Sequence, residues 1–403
     1  MKQNKYKLWL MMVVVLIFSA CGNDDDKEEE LENTVLIYMA ADNTLDADVD
    51  YSLEQIKEGV SRSSGEVVVY LDREGDTPRL FRLSPEGEEI LLKEYAEENS
   101  ANASTMQRVI LETRELVPAL QFGLVIWSHS MGWLPENYTS QLWTASARSD
   151  CYFPRTRYVC TDEDTGDGGS GVLEVSDMAA ALGTDAARFI LFDVCLMGSV
   201  EALYEIRNTC DYAIAAPTEV LAEPDYKASG MPYAKVLPYL FGDVDDLAKA
   251  CEIYYTYYRD LDLTGVDITN PEVLRSATIS LVDMQQLDGL YEASRTILSG
   301  KLLQAQSLNT EELQVYHTSY LPQVFFDMGD VIKELSSDAE YLDFTEQLEL
   351  TVLYKAATTK FVSVPIDQEH FSGLSMYVPL SGWQDRNEYQ YYFSTIDWSS
   401  VYD

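Results

Sequence analysis

Two places in this 403-residue chain put a nucleophile near a group that could activate it. In the first, Ser128-His129-Ser130-Met131-Gly132 approaches G-x-S-x-G, the elbow that presents a serine hydroxyl to an ester. On that reading Ser130 attacks, and His317 or His370 takes its proton. Two features oppose it. Ser128 stands where the elbow favours glycine, and Trp133-Leu134-Pro135-Glu136-Asn137 is turn chemistry where a helix should follow. The second place is the pair His129 and Cys195. A thiol with a reference pKa of about 8.5 is a few per cent thiolate at neutral pH. An imidazole beside it takes the proton as sulfur attacks and later protonates a leaving amine. Taken alone, each residue is as readily a packed core side chain, so the elements that carry them decide.

Val35–Met39, Val67–Leu71, Leu124–Trp127 and Phe189–Phe192 are short, continuous apolar runs, the pattern of strands buried on both faces. Helical spacing falls between them, near 47–60, 104–117 and 174–183. Strand–helix alternation predicts an α/β layer fold with a mostly parallel sheet. The runs end in Ala40-Ala41-Asp42-Asn43, Asp72-Arg73, Ser128-His129-Ser130 and Asp193-Val194-Cys195. Open α/β sheets bind ligands beyond the carboxyl ends of their strands. His129 and Cys195 therefore stand at two such ends and meet if their strands are neighbours. Residues 134–172 lack periodicity over a length that marks a functional or disordered loop. Helical patterns near 244–260, 284–303 and 342–358 follow, then a late strand over 373–379.

The block Phe189–Gly198 with Glu201, together with Leu124–His129 followed by Gly132-Trp133, resembles the cysteine and histidine blocks of the clostripain family of cysteine peptidases, relatives of the caspases and gingipains. Tyr38–Asn43 with Leu45, Ala216–Glu219, Phe326–Asp330 and Gly373–Pro379 fall in that family's order. The resemblance covers roughly residues 34–380. It implies a caspase-like three-layer αβα sandwich, with 34–240 as the catalytic core and 241–403 as a helical and strand region completing the peptidase domain. It also implies Cys195 as nucleophile, His129 as general acid and base, and the backbone N–H groups of Ser130 and Cys195 as the oxyanion hole. No cofactor is then needed for the chemistry. The family usually has glycine directly after the histidine, and Ser130 would be strained if that backbone needed φ > 0.

The family typically cuts after basic residues, which implies an acidic first pocket and substrates basic at the cleavage site. Asp193 is the nearest candidate by position, its other reading being a buried structural acid. Glu219, Glu223 and Asp225 follow the next strand and are further candidates. Some relatives cut themselves between the histidine and cysteine blocks, where this chain has Arg148, Arg155 and Arg157. Asp162, Glu163, Asp164 and Asp167 approach the spacing of a calcium loop, but Gly166 and Gly168 fall out of step. A solvated loop is the plainer reading.

Lys2, Lys5 and Lys7, the apolar block Leu8–Phe18 and the sequence Phe18-Ser19-Ala20-Cys21 read as a lipoprotein signal over 1–20, with Cys21 lipidated. The acidic stretch within 21–33 reads as a solvated tether and resembles an export signal to the outer cell surface. The expectation is a bacterial outer membrane lipoprotein, held to the membrane through the lipid on Cys21. Lys and Arg number 28 against 68 acidic residues, a net charge of 28 − 68 = −40. That balance argues against a nucleic-acid partner, which requires a basic face. The competing expectation from another class is a catalytically silent surface lipoprotein of the same fold that binds peptide or glycan.

Overall fold

The computed structural model describes residues 31–138, 171–316 and 323–403. The four apolar runs form the middle of a sheet as β1 (Leu31–Ala41), β2 (Glu66–Arg73), β5 (Ala119–Trp127) and β6 (Ala187–Asp193). Around them lie β3 (Arg79–Leu83), β4 (Glu89–Glu94), β7 (Cys210–Ala215), β10 (Thr278–Asp283) and β12 (Val352–Ala357). Among the described residues these make one nine-stranded sheet, ordered β12-β10-β7-β6-β5-β1-β2-β3-β4. The five central strands are parallel, and two antiparallel strands finish each edge. Val35 to Ala41 are buried without interruption, as strands covered on both faces require.

The covering helices fall into two packed groups. The helix α1 (Asp46–Val60) packs against α5 (Tyr233–Val236), which packs against α6 (Val244–Arg259). In the other group α2 (Ala103–Leu116) packs against α3 (Val175–Leu182), and α3 against α4 (Val200–Glu205). Helix, sheet and helix make the three-layer αβα sandwich. The strand order reverses between β1 and β5, the switch point beyond which α/β sheets place ligands.

Three sequence expectations change in detail. The helical pattern near 342–358 divides: a helix over Asp338–Thr351 starts in a capping box of Ser337 and Glu340, and β12 follows at once. Pairing with β10 decides that boundary, because Val352 and Tyr354 suit a half-buried pleat. The helix expected near 284–303 is confined to α7 (Leu287–Leu298), since Asp283 caps a 3₁₀ turn before it and Gly300 turns left-handed after it. In the late strand 373–379 only Ser375–Met376 pairs, with β11 (Phe326–Asp327). The rest is held from α4, where Glu201 Oε1 accepts the Tyr377 N–H at 2.7 Å.

Candidate active site

Register sets the two residues at neighbouring strand ends. Met39 is level with Trp127, and Trp127 with Asp193, so His129 and Cys195 each stand two residues beyond paired positions on adjacent strands. The end of β5 is pinned from both sides. The Ser128 hydroxyl donates to the Ala40 carbonyl at 2.7 Å, and the Trp127 indole N–H donates to Ser52 Oγ on α1 at 3.2 Å. Ser128 thus has a structural task where the esterase elbow would need glycine.

The loops that follow the two strands pack backbone on backbone. Gly132 and Leu196 both take the left-handed conformation, at φ of 63° each. A Cβ on Gly132 would sit 2.6 Å from the Leu196 carbonyl oxygen. A non-glycine residue held there costs on the order of 1–3 kcal/mol, which surrounding bonds must offset. The Leu196 N–H donates to the Thr218 carbonyl at 2.9 Å and the Gly198 N–H to Ala216 at 2.8 Å. Ser130 itself keeps an ordinary φ, so the strain expected from serine after the histidine falls on Gly132, which tolerates it.

Cys195 has no exposed surface, and its Sγ accepts the Val220 N–H at 3.1 Å. Val220 belongs to the segment leading into a small hairpin, β8 (Ala222–Glu223) with β9 (Ala228–Ser229). Ser229 Oγ ties that hairpin to Asp48 on α1 at 2.7 Å. The imidazole of His129 is nearly buried, and its Nε2 lies 2.8 Å from Thr44 Oγ1 in the turn after β1. Beside the ring is a small pocket whose walls include Ser130, Gly132, Met106, Met178 and Met197.

A model of the clostripain family matches residues 37–402, nearly the whole described chain. The chain belongs to the clostripain family of cysteine peptidases. An inactive zymogen protease of this family from Parabacteroides distasonis is similar at 29% identity, over 92% of this chain and 98% of that one, with a TM-score of 0.75. A secreted cysteine protease of the family from Bacteroides thetaiotaomicron, solved with an irreversible peptide inhibitor, matches at 26% identity, 92% and 98% coverage and a TM-score of 0.72. No curated protein matches.

The acidic candidates take different places in the peptidase. Asp193 is fully buried; its Oδ1 accepts the Met231 N–H at 3.2 Å and its Oδ2 the Tyr233 hydroxyl at 2.7 Å. Glu219 and Glu223 are buried on either side of the segment that covers the thiol. Asp225 is exposed and lines a separate surface cavity with Tyr226, Lys227 and Asp260. Cys21, the arginines at 148, 155 and 157, and the acidic run at 162–167 lie outside the described residues, as do Cys151 and Cys160. Among the described residues no cluster of three or more ligating side chains could hold a metal.

Among the described residues the serine reading does not assemble. Ser130 Oγ accepts the Gly132 N–H at 3.0 Å, so it serves the turn. His370 is exposed, lies 3.2 Å from the Asp367 carboxylate and lines a different pocket with Leu313 and Asp330, while His317 is outside the described residues. The other described cysteines are buried, unbridged thiols; burial pushes Cys210 up to about 12 and raises Cys251 as well. Sequence reasoning missed Thr44 and Val220. Thr44 had a signal, a polar residue past a core strand at the switch point. Val220 had none, because its part is played by backbone.

Proposed function

We propose that the peptidase cleaves polypeptides after Arg or Lys, with Cys195 as nucleophile and His129 as acid and base. The observation that carries this reading is the β5–β6 register, which sets both side chains at adjacent strand ends. His129 takes the Cys195 proton as Sγ bonds to the scissile carbonyl carbon. The resulting oxyanion is held by the N–H groups of Cys195 and Ser130, and one such donor is typically worth about 3 kcal/mol in the transition state. The C–N bond then breaks as His129 returns the proton to the leaving amine. Water, deprotonated by His129, releases the acyl group, and the proton goes back to sulfur. No cofactor enters these steps.

Buried Asp193, two residues before Cys195, and buried Glu219 and Glu223, flanking the Val220 segment that meets the thiol, support a basic first residue. Asp193, already bonded to Met231 and Tyr233, shapes the wall, and Glu219 or Glu223 meets the cation. The acidic surface then favours basic polypeptides at long range. We read the wild-type thiol, sealed by Val220, as a resting form opened by cleavage after Arg148, Arg155 or Arg157. Lipid on Cys21 would hold the enzyme to the outer membrane; a Cys21→Ser chain that stays in the membrane fraction excludes that anchor.

The deciding experiment is a panel of fluorogenic Arg, Lys and neutral peptides against wild type, Cys195→Ala and Ser130→Ala. Turnover of basic substrates lost only with Cys195 is the expected result. Turnover that survives Cys195→Ala sinks the assignment. No turnover by wild type, even after limited proteolysis, favours the binding protein.

A further inference from the structure

We propose that Thr44 is a positioning residue whose hydroxyl sets the tautomer of His129. The inference rests on His129 being the acid and base, and it gives a task to the turn after β1. That turn is built stiffly. Asn43 Nδ2 donates to the Ala40 carbonyl at 2.9 Å, and Asn43 Oδ1 accepts the Leu45 N–H at 2.9 Å. The Asn43 N–H reaches the Ala41 carbonyl at 2.8 Å, and its carbonyl accepts the Asp46 N–H at 3.0 Å. Asp42, Asn43 and Leu45 are buried, and Thr44 alone of the four is exposed. Its β-branched side chain has few rotamers, so the turn fixes where Oγ1 stands.

Oγ1 lies 2.8 Å from Nε2. Thr44 is exposed as a residue, so solvent can accept its hydroxyl proton and leave Oγ1 to accept from Nε2–H. The proton then resides on Nε2, and the buried Nδ1 carries the lone pair that serves as base. The same bond survives when the ring becomes imidazolium, because Nε2 stays protonated, and it strengthens as the donor gains charge. A hydroxyl that instead donated to Nε2 would lose its acceptor whenever the proton sat there. The geometry therefore favours one tautomer at rest and supports the charged ring during the reaction. On this reading Nδ1 is the nitrogen that exchanges the proton with sulfur.

The test uses full-length protein with ¹⁵N-labelled imidazoles. There are only three histidines, so the His129 signals are those lost in His129→Gln. Wild type should show a protonated Nε2 and an unprotonated Nδ1. Thr44→Val should give a mixed tautomer, and Thr44→Ser should restore the wild-type pattern. In turnover, Thr44→Val should lower kcat about tenfold with KM within about twofold, the effect of one hydrogen bond expressed in the transition state. Thr44→Ser should recover kcat. A proton on Nδ1 in wild type, or an unchanged tautomer in Thr44→Val, overturns the proposal. The spectra need no turnover, so an inert wild type would count against the peptidase reading and leave the tautomer result to stand by itself.

Discussion

The backbone N–H of Val220 points at the sulfur of Cys195 from 3.1 Å, and that sulfur has no surface open to solvent. If Cys195 is the nucleophile, the 218–223 segment must move before a peptide carbonyl reaches the sulfur. Iodoacetamide should therefore label Cys195 slowly in intact protein. Limited trypsin treatment should speed that labelling at least tenfold if cleavage releases the segment, while buried Cys210 and Cys251 stay unmodified. Peptide mass spectrometry reads all three sites at once. Rapid labelling of the untreated chain would mean the cover is open at rest.

The proposed self-processing can be tested directly. Wild type incubated alone should acquire a cut after Arg148, Arg155 or Arg157, and Cys195→Ala should not. Identical intact chains after prolonged incubation would rule the mechanism out.

The buried acids should separate by role. Glu219→Gln or Glu223→Gln, whichever meets the cation, should raise KM for Arg and Lys peptides about tenfold, because a charge-assisted bond is lost at a desolvated site. Neutral substrates should be affected little. Asp193→Asn keeps the size but puts an amide where the carboxylate accepts from Met231 and Tyr233. It should lower thermal stability and harm all substrates alike. A purely selective loss in Asp193→Asn would instead assign the cation to that residue.

Gly132 is the position where the histidine loop cannot carry a side chain. Gly132→Ala puts a Cβ 2.6 Å from the Leu196 oxygen at a φ of 63°. The loops must separate, at a cost of about 2 kcal/mol in stability. Activity should fall further than that figure implies, since the separation moves His129 away from Cys195. Denaturant midpoints and kcat, measured on the same variant, distinguish the two effects.

The central strands were legible because buried parallel strands read as unbroken apolar runs, and the points where the runs stop put His129 and Cys195 beyond neighbouring strand ends. The edge strands were not. In β4 every side chain from Glu89 to Glu94 is exposed or half-exposed, so no run announces it. The boundary at Thr351 is set by pairing between β12 and β10, a contact across about 75 residues of sequence that no local window contains. The cover over Cys195 was invisible for a different reason: it is made by a main-chain N–H, which every residue but proline possesses.

Glu201 links α4 to the Tyr377 segment near the far end of the chain and should make that link depend on pH. It lies fully buried on α4 and accepts the Tyr377 N–H, yet burial pushes its carboxyl up to about 8 from an ordinary 4.5. Between those values the folded protein keeps a proton that the unfolded chain releases. Stability therefore falls as pH rises through that window, by up to about 1.4 kcal/mol per unit, and levels off above it. Asp327, buried and raised to about 6, contributes in the same direction over a lower range. Glu201→Gln imitates the protonated form. It should match wild type in urea unfolding near pH 5 and exceed it by about 2 kcal/mol or more at pH 8. Tyr392 and Tyr402, whose hydroxyl protons are held first by burial and further by a nearby Glu201 charge when it ionises, would accommodate the neutral amide more readily than the carboxylate. A difference between wild type and variant that stays constant from pH 5 to 8 would mean that Glu201 is already ionised in the folded protein.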